Sequence, residues 1–145
     1  MILPFSGSVL PPGEHPATID EIENRFAHTP HRRQLFAGLK LLLGNLKAAG
    51  ARRAWLNGSF VTDKTVPDDY DLCWDPNGVN PDLLDPILLD LSAPRFAQHV
   101  KYGGDIFPNV TEQHSVSLFL DFFQVDKTTG GPKGIIVIDL LRFNP

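Results

Sequence analysis

Cysteine and methionine are scarce in this chain, one of each in 145 residues, and positive charge is in deficit. A lone Cys73 can form no internal disulfide, so the core must hold the fold, and a reducing, cytoplasmic setting is the expectation. Thirteen Lys and Arg stand against seventeen Asp and Glu, for a formal net charge of −4. That balance argues against a protein that grips nucleic acid chiefly by neutralising phosphates, a mode that needs surplus cations. No apolar run approaches the roughly 20 residues of a membrane span, and the first residues lack the basic start and apolar centre of a signal peptide, so no membrane partner is expected. The five histidines show no ligand spacing, and one cysteine makes no zinc pattern.

What remains is the composition of an ordinary globular domain, 42% hydrophobic and 21% charged. A chain of this length buries roughly 70% of the surface it exposes when unfolded, so 1–145 reads as a single domain. Residues 1–17 read as an extended N-terminal arm, because Pro4, Pro11, Pro12 and Pro16 bar a helix there. Thr18 with Glu21 forms a capping box, which predicts a helix over 19–27. A second helix follows Thr29 and Pro30, with Leu35, Phe36, Leu39, Leu42, Leu43 and Leu46 on one face and Gly50 as its stop. Beside it His31, Arg32 and Arg33, with Lys47, Arg52 and Arg53, read as solvated.

Strands are predicted at 54–56, 70–74, 100–107 and 134–141, the last so apolar that both its faces should be buried. Short or kinked helices are predicted at 59–65 and 81–91, and another at 111–123. Trp55, Trp74 and Cys73 read as core. The order predicts a mixed α/β (α+β) domain, a small mixed sheet of about four strands with helices packed on it.

Chemistry concentrates in 58–71. Asp69 and Asp71 stand two residues apart at a strand start, a spacing that turns both side chains to one face. Two adjacent carboxylates are costly unless a cation compensates, which points to a hard divalent ion such as Mg²⁺. Upstream, Gly58 permits close approach of backbone to a ligand, and Ser59 offers a hydroxyl and turn amides suited to phosphate. A triphosphate bound with Mg²⁺ fits both ends.

Gly58-Ser59, nine intervening residues and Asp69-Tyr70-Asp71 together resemble the signature of the DNA polymerase beta-like nucleotidyltransferases. The chain is also similar to their minimal prokaryotic members, some of which act as antitoxins, and more loosely to bacterial and phage proteins sharing the run Leu56 to Thr62. The resemblance implies a nucleotidyltransferase-like fold that moves a nucleoside monophosphate from an NTP, with ATP expected, to a hydroxyl acceptor. Two Mg²⁺ ions are implied, held by Asp69, Asp71 and a third carboxylate on a later strand. Asp105 is the choice for the third, with Asp121 and Asp139 as rivals. Gly58, Ser59 and Lys64 are the implied triphosphate contacts; Lys64 would act as a point cation where minimal members often carry an arginine.

A domain this small has little room for a separate acceptor site, so a partner protein or a second copy of the chain is expected to help hold the acceptor. A nucleic-acid acceptor is the less expected kind. The competing expectation is a fold of the same kind without turnover, a module that binds a nucleotide or a protein.

Overall fold

Two threonines start the first two helices. The Thr18 hydroxyl accepts from the Glu21 amide at 3.2 Å while the Glu21 carboxylate accepts from the Thr18 amide at 3.2 Å, and α1 runs Ile19–Phe26. Thr29 accepts from the Arg32 amide at 3.1 Å with Pro30 in the first turn, and α2 runs Pro30–Ala48. The computed structural model describes residues 2–90, 96–110 and 133–145. The helix predicted at 111–123 and its Asp121 therefore lie outside the described residues.

The described strands form one mixed sheet of five, in the order β1-β5-β2-β3-β4. They are β1 Gly13–Pro16, β2 Arg53–Asn57, β3 Tyr70–Trp74, β4 Gly104–Pro108 and β5 Gly134–Asp139. β2 is antiparallel to both β3 and β5, whereas β4 runs parallel to β3 and β1 parallel to β5. The alternation of side chains along each strand sorts the sheet into two faces. Ala54, Leu56, Tyr70, Leu72, Trp74, Ile106, Ile136 and Ile138 join the α1 and α2 apolar stripes in the main core. Trp55, Cys73, Phe107 and Ile135 form a second buried cluster on the other face. Burial pushes the Cys73 thiol up to about 12, with the Asp75 charge adding to the shift, so it is inert as a nucleophile at neutral pH.

Several elements differ from the sequence expectation: the helix expected at 59–65 is only a 3₁₀ turn at Ser59–Val61, and the last strand ends at Asp139 and not at Leu141. The arm includes a fifth strand, β1, at a sheet edge where its terminal proline is tolerated. The segment 81–91 holds two separate 3₁₀ turns, Pro81–Leu83 and Pro86–Leu89, because each proline starts a turn and prevents the continuous helix that the leucine spacing suggests. Residues 100–102 continue a helix, α3 Phe96–Tyr102, and the strand begins only at Gly104. Gly103 makes the switch at φ 88°, a conformation costly for other residues.

Two side chains fasten α3 to the sheet. The buried Gln98 accepts from the Ile106 amide at 3.0 Å, covering an outward-facing donor of β4, and donates to the Ile87 carbonyl at 3.2 Å. The Tyr70 hydroxyl, fully buried, donates to the Tyr102 carbonyl at 2.9 Å. On its other side α3 lies so close to α2 that a Cβ on Gly38 would stand 2.1 Å from the Tyr102 carbonyl oxygen.

Candidate metal centre

The β3/β4 pairing sets Asp71 opposite Asp105, and the β2/β3 pairing sets Asn57 opposite Asp71. All three fall on the Trp55, Cys73 and Phe107 face by strand alternation, so the acidic end of the sheet continues its second apolar cluster. Asp69 lies one residue before β3. The imidazole Nε2 of His99, on α3, stands 2.8 Å from Asp105 Oδ1 and 3.9 Å from Asp69 Oδ2. One donor atom from each of Asp69, His99 and Asp105 lies within 4.8 Å of the other two, a separation that one metal ion can bridge. Each of the three is partly exposed, which leaves solvent or a ligand access to the group.

Of the carboxylates singled out from the sequence, Asp69 and Asp105 therefore enter one cluster. Asp71 neighbours Asp105 along the sheet but lies outside that three-residue group, and its carboxylate faces Gly58. Asp139 pairs with Arg53 at the opposite end of β2 from Asn57 and so is remote from the acidic end.

Gly58 has φ 89° and opens a 3₁₀ turn at Ser59–Val61. A Cβ there would lie 2.8 Å from the Asp71 amide nitrogen and 3.2 Å from Asp71 Oδ2, so only glycine lets this turn close against β3. The Ser59 hydroxyl donates to the Asp69 carbonyl at 3.2 Å, tying the turn to the residue before β3. Lys64 is in the exposed loop beyond, where its ammonium lies 3.4 Å from Asp68 Oδ2. A cleft of about 430 Å³ between α2 and α3 shares His99 with the cluster and is also lined by His31, Gln34, Leu41, Asp68 and Val100.

Two residues escape the sequence reasoning. His99 has no ligand spacing in the chain, and its closeness to Asp69 exists only once α3 is docked. The signal available was its position six residues before Asp105, a helix-to-strand step that returns the chain to the same end of the sheet. Arg32, read as solvated, is buried under the loop after Ser59. Its guanidinium donates to the carbonyls of Phe26, Phe60, Thr62 and Lys64 at 2.5 to 3.2 Å. His31 adds a contact from Nε2 to the Pro67 carbonyl at 2.5 Å, so the start of α2 holds the whole connection into β3.

A family model described as a family of unknown function, DUF6932, matches residues 3–139. The chain belongs to that family. Neither the curated proteins nor the solved structures contain a significant match. No described helix is long and apolar enough to cross a membrane.

Proposed function

We propose that this DUF6932 chain is a divalent-cation-dependent nucleotidyltransferase with a DNA polymerase beta-like arrangement. The observation that carries it is the meeting at one sheet end of Asp69 and Asp105 in a cluster of metal-binding spacing, with Asp71 aligned to Asp105 and the Gly58 turn closed against Asp71. The donor set is rich in carboxylate oxygen, as a hard cation of the Mg²⁺ kind requires. Asp69, Asp71 and Asp105 are the residues that would hold it. When bound, such a cation supplies charge that stabilises phosphate oxygens and lowers the pKa of a coordinated hydroxyl.

The protein's own part is positioning. The backbone of the turn at Ser59–Val61 would meet the phosphates, the Ser59 hydroxyl being already committed to the Asp69 carbonyl, and Arg32 fixes that turn from beneath through its four carbonyl contacts. The cleft between α2 and α3 meets the cluster through His99, and its lining does not include Asp69, Asp71 or Asp105. In the reaction the acceptor oxygen would bond to the α-phosphorus of the NTP as the bond from that phosphorus to the bridging oxygen breaks and pyrophosphate leaves, and the acceptor hydroxyl's proton would pass to a carboxylate of the cluster and from there to water. In-line alignment of the two oxygens makes holding the reactants a large share of such catalysis.

The test is to incubate wild type and the Asp69→Ala/Asp71→Ala variant with each of the four NTPs labelled at the α-phosphate, with a divalent cation, with and without cell lysate. Label on a protein, RNA or small molecule from wild type alone is the expected result, and its carrier identifies the acceptor. Transfer by both proteins, or by neither, overturns the proposal. Cation-dependent NTP binding by wild type without transfer would assign the chain to nucleotide binding without turnover.

A further inference from the structure

We infer that His99 is a ligand of the divalent cation held between Asp69 and Asp105, which makes this a mixed nitrogen and oxygen site that favours Mn²⁺ over Mg²⁺. The inference rests on the reading that the acidic end of the sheet holds a cation, and adds to it a residue and a metal preference.

The donors come from the loop before β3, from α3 and from β4, and backbone and buried side-chain contacts tie these pieces to one another. Asp105 is set by its place in β4. Asp69 is tied to the Gly58 turn through the Ser59 hydroxyl at 3.2 Å. His99 is carried by a helix fastened on both sides, through Gln98 to β4 and through the Tyr102 carbonyl to Tyr70. The imidazole is thus delivered to the carboxylates by fold contacts that do not involve the carboxylates themselves.

The spacing suits coordination. With metal to donor bonds of about 2.1 Å, neighbouring donors of an octahedral ion lie about 3.0 Å apart and opposite donors about 4.2 Å. His99 Nε2 hydrogen-bonds Asp105 Oδ1 at 2.8 Å and stands 3.9 Å from Asp69 Oδ2, distances close to that range, and a cation entering between the three would take the place of the proton shared with Asp105. The side chains of His99, Asp69 and Asp105 are 37%, 28% and 27% exposed, so the remaining positions on the ion face solvent and can take water or phosphate oxygen.

Chemistry then decides the metal. Mg²⁺ prefers an all-oxygen octahedron and sheds water reluctantly, whereas first-row ions accept an imidazole nitrogen readily. Among these, Mn²⁺ combines that tolerance with the octahedral, carboxylate-rich coordination that phosphate substrates need. The opposing arrangement is one in which protonated His99 serves as a counter-ion to Asp69 and Asp105. A cation would then have to displace it, and removing the imidazole would strengthen cation binding.

The experiment titrates the metal-free full chain with Mn²⁺ and with Mg²⁺ by calorimetry, and records pulsed electron paramagnetic resonance of the Mn²⁺ complex with ¹⁵N-histidine label. Wild type is expected to bind Mn²⁺ at least about tenfold more tightly than Mg²⁺ and to show one imidazole nitrogen coupled to the ion. His99→Ala and His99→Gln should both lose that coupling and about tenfold or more in Mn²⁺ affinity, with an unchanged circular dichroism spectrum. Mn²⁺ bound through Asp69 and Asp105 without nitrogen coupling, or bound equally or more tightly by His99→Ala, overturns the role of His99 and leaves the cation site standing. Absence of binding by either ion to wild type overturns the cation site and the inference together.

Discussion

Arg32 lies on the same face of α2 as Leu35, Phe36 and Leu39, spaced three, four and seven residues along, and it is buried with them at 1% exposure. Its charge argues for the solvated reading, but its spacing sets it on the buried stripe. Burial works against the guanidinium charge and nearby Asp63 supports it. Four backbone carbonyls accept its protons, a demand that a planar fork meets and a lysine ammonium does not. Arg32→Lys should therefore cost about 3 kcal/mol of stability, because carbonyls under the loop lose donors and a charge stays buried. Urea unfolding followed by tryptophan fluorescence measures this, and a loss below about 1 kcal/mol would mean that water or the lysine replaces the lost donors. His99 is the opposite case. Its one local mark is the six-residue step to Asp105, and its closeness to Asp69 arises only from the sheet pairing and the docking of α3.

Elements whose local chemistry and packing agree are the ones the sequence reveals. The capping threonines set both helix starts, and the strand at 70–74 is bounded as expected because its alternation and the turn residues before it point the same way. β1 was hidden because its four residues, Gly-Glu-His-Pro, carry no strand pattern and pair only through β5. The site depends on a further element junction that was not legible. Asp85 Oδ1 accepts from the Ile87 amide at 3.2 Å, and Oδ2 accepts from the Tyr102 hydroxyl at 2.6 Å and the Lys101 ammonium at 2.5 Å. Burial opposes the Asp85 charge, but the bonds from Lys101, Tyr102 and Ile87, with the Lys101 charge, outweigh it and hold the carboxyl below its ordinary value of 3.8. A carboxylate depressed in the folded state stabilises fully above its unfolded value, and that contribution fades as pH falls through the folded value. Asp85→Asn should thus cost about 1 to 3 kcal/mol at pH 7, with a gap to wild type that narrows below the ordinary carboxylate range. Urea midpoints at pH 7 and pH 3 check this. A gap of equal size at both would place the loss in bond geometry and not in charge.

At the scale of the molecule, the sheet order brings to one end acids that the sequence lists separately. Asp69 and Asp71 could be paired from their spacing alone, but the alignment of Asp105 with Asp71 is a property of the β3/β4 register, which no local pattern encodes. Three carboxylates at one end of a chain already at −4 form a like-charge group, whose cost a bound cation would offset. A ligand that binds only the native state stabilises it by about 2.7 kcal/mol at a hundred times its Kd. For a domain of this size that corresponds to a rise in Tm of roughly 8 °C. The Asp69→Asn/Asp105→Asn variant relieves the repulsion and removes donors, so without divalent cation it should melt at or above the wild-type temperature, and with cation it should show no rise. Monovalent salt at matched ionic strength separates site binding from screening, because exposed charges at such distances are damped by any electrolyte. Calorimetric melts of both proteins under the three conditions make the comparison. If wild type and variant rise equally with divalent cation, the ions act on the acidic surface as a whole, and the acidic end of the sheet is not the site. A rise confined to wild type and to the divalent ion requires a site built from those two residues, since they alone distinguish the proteins.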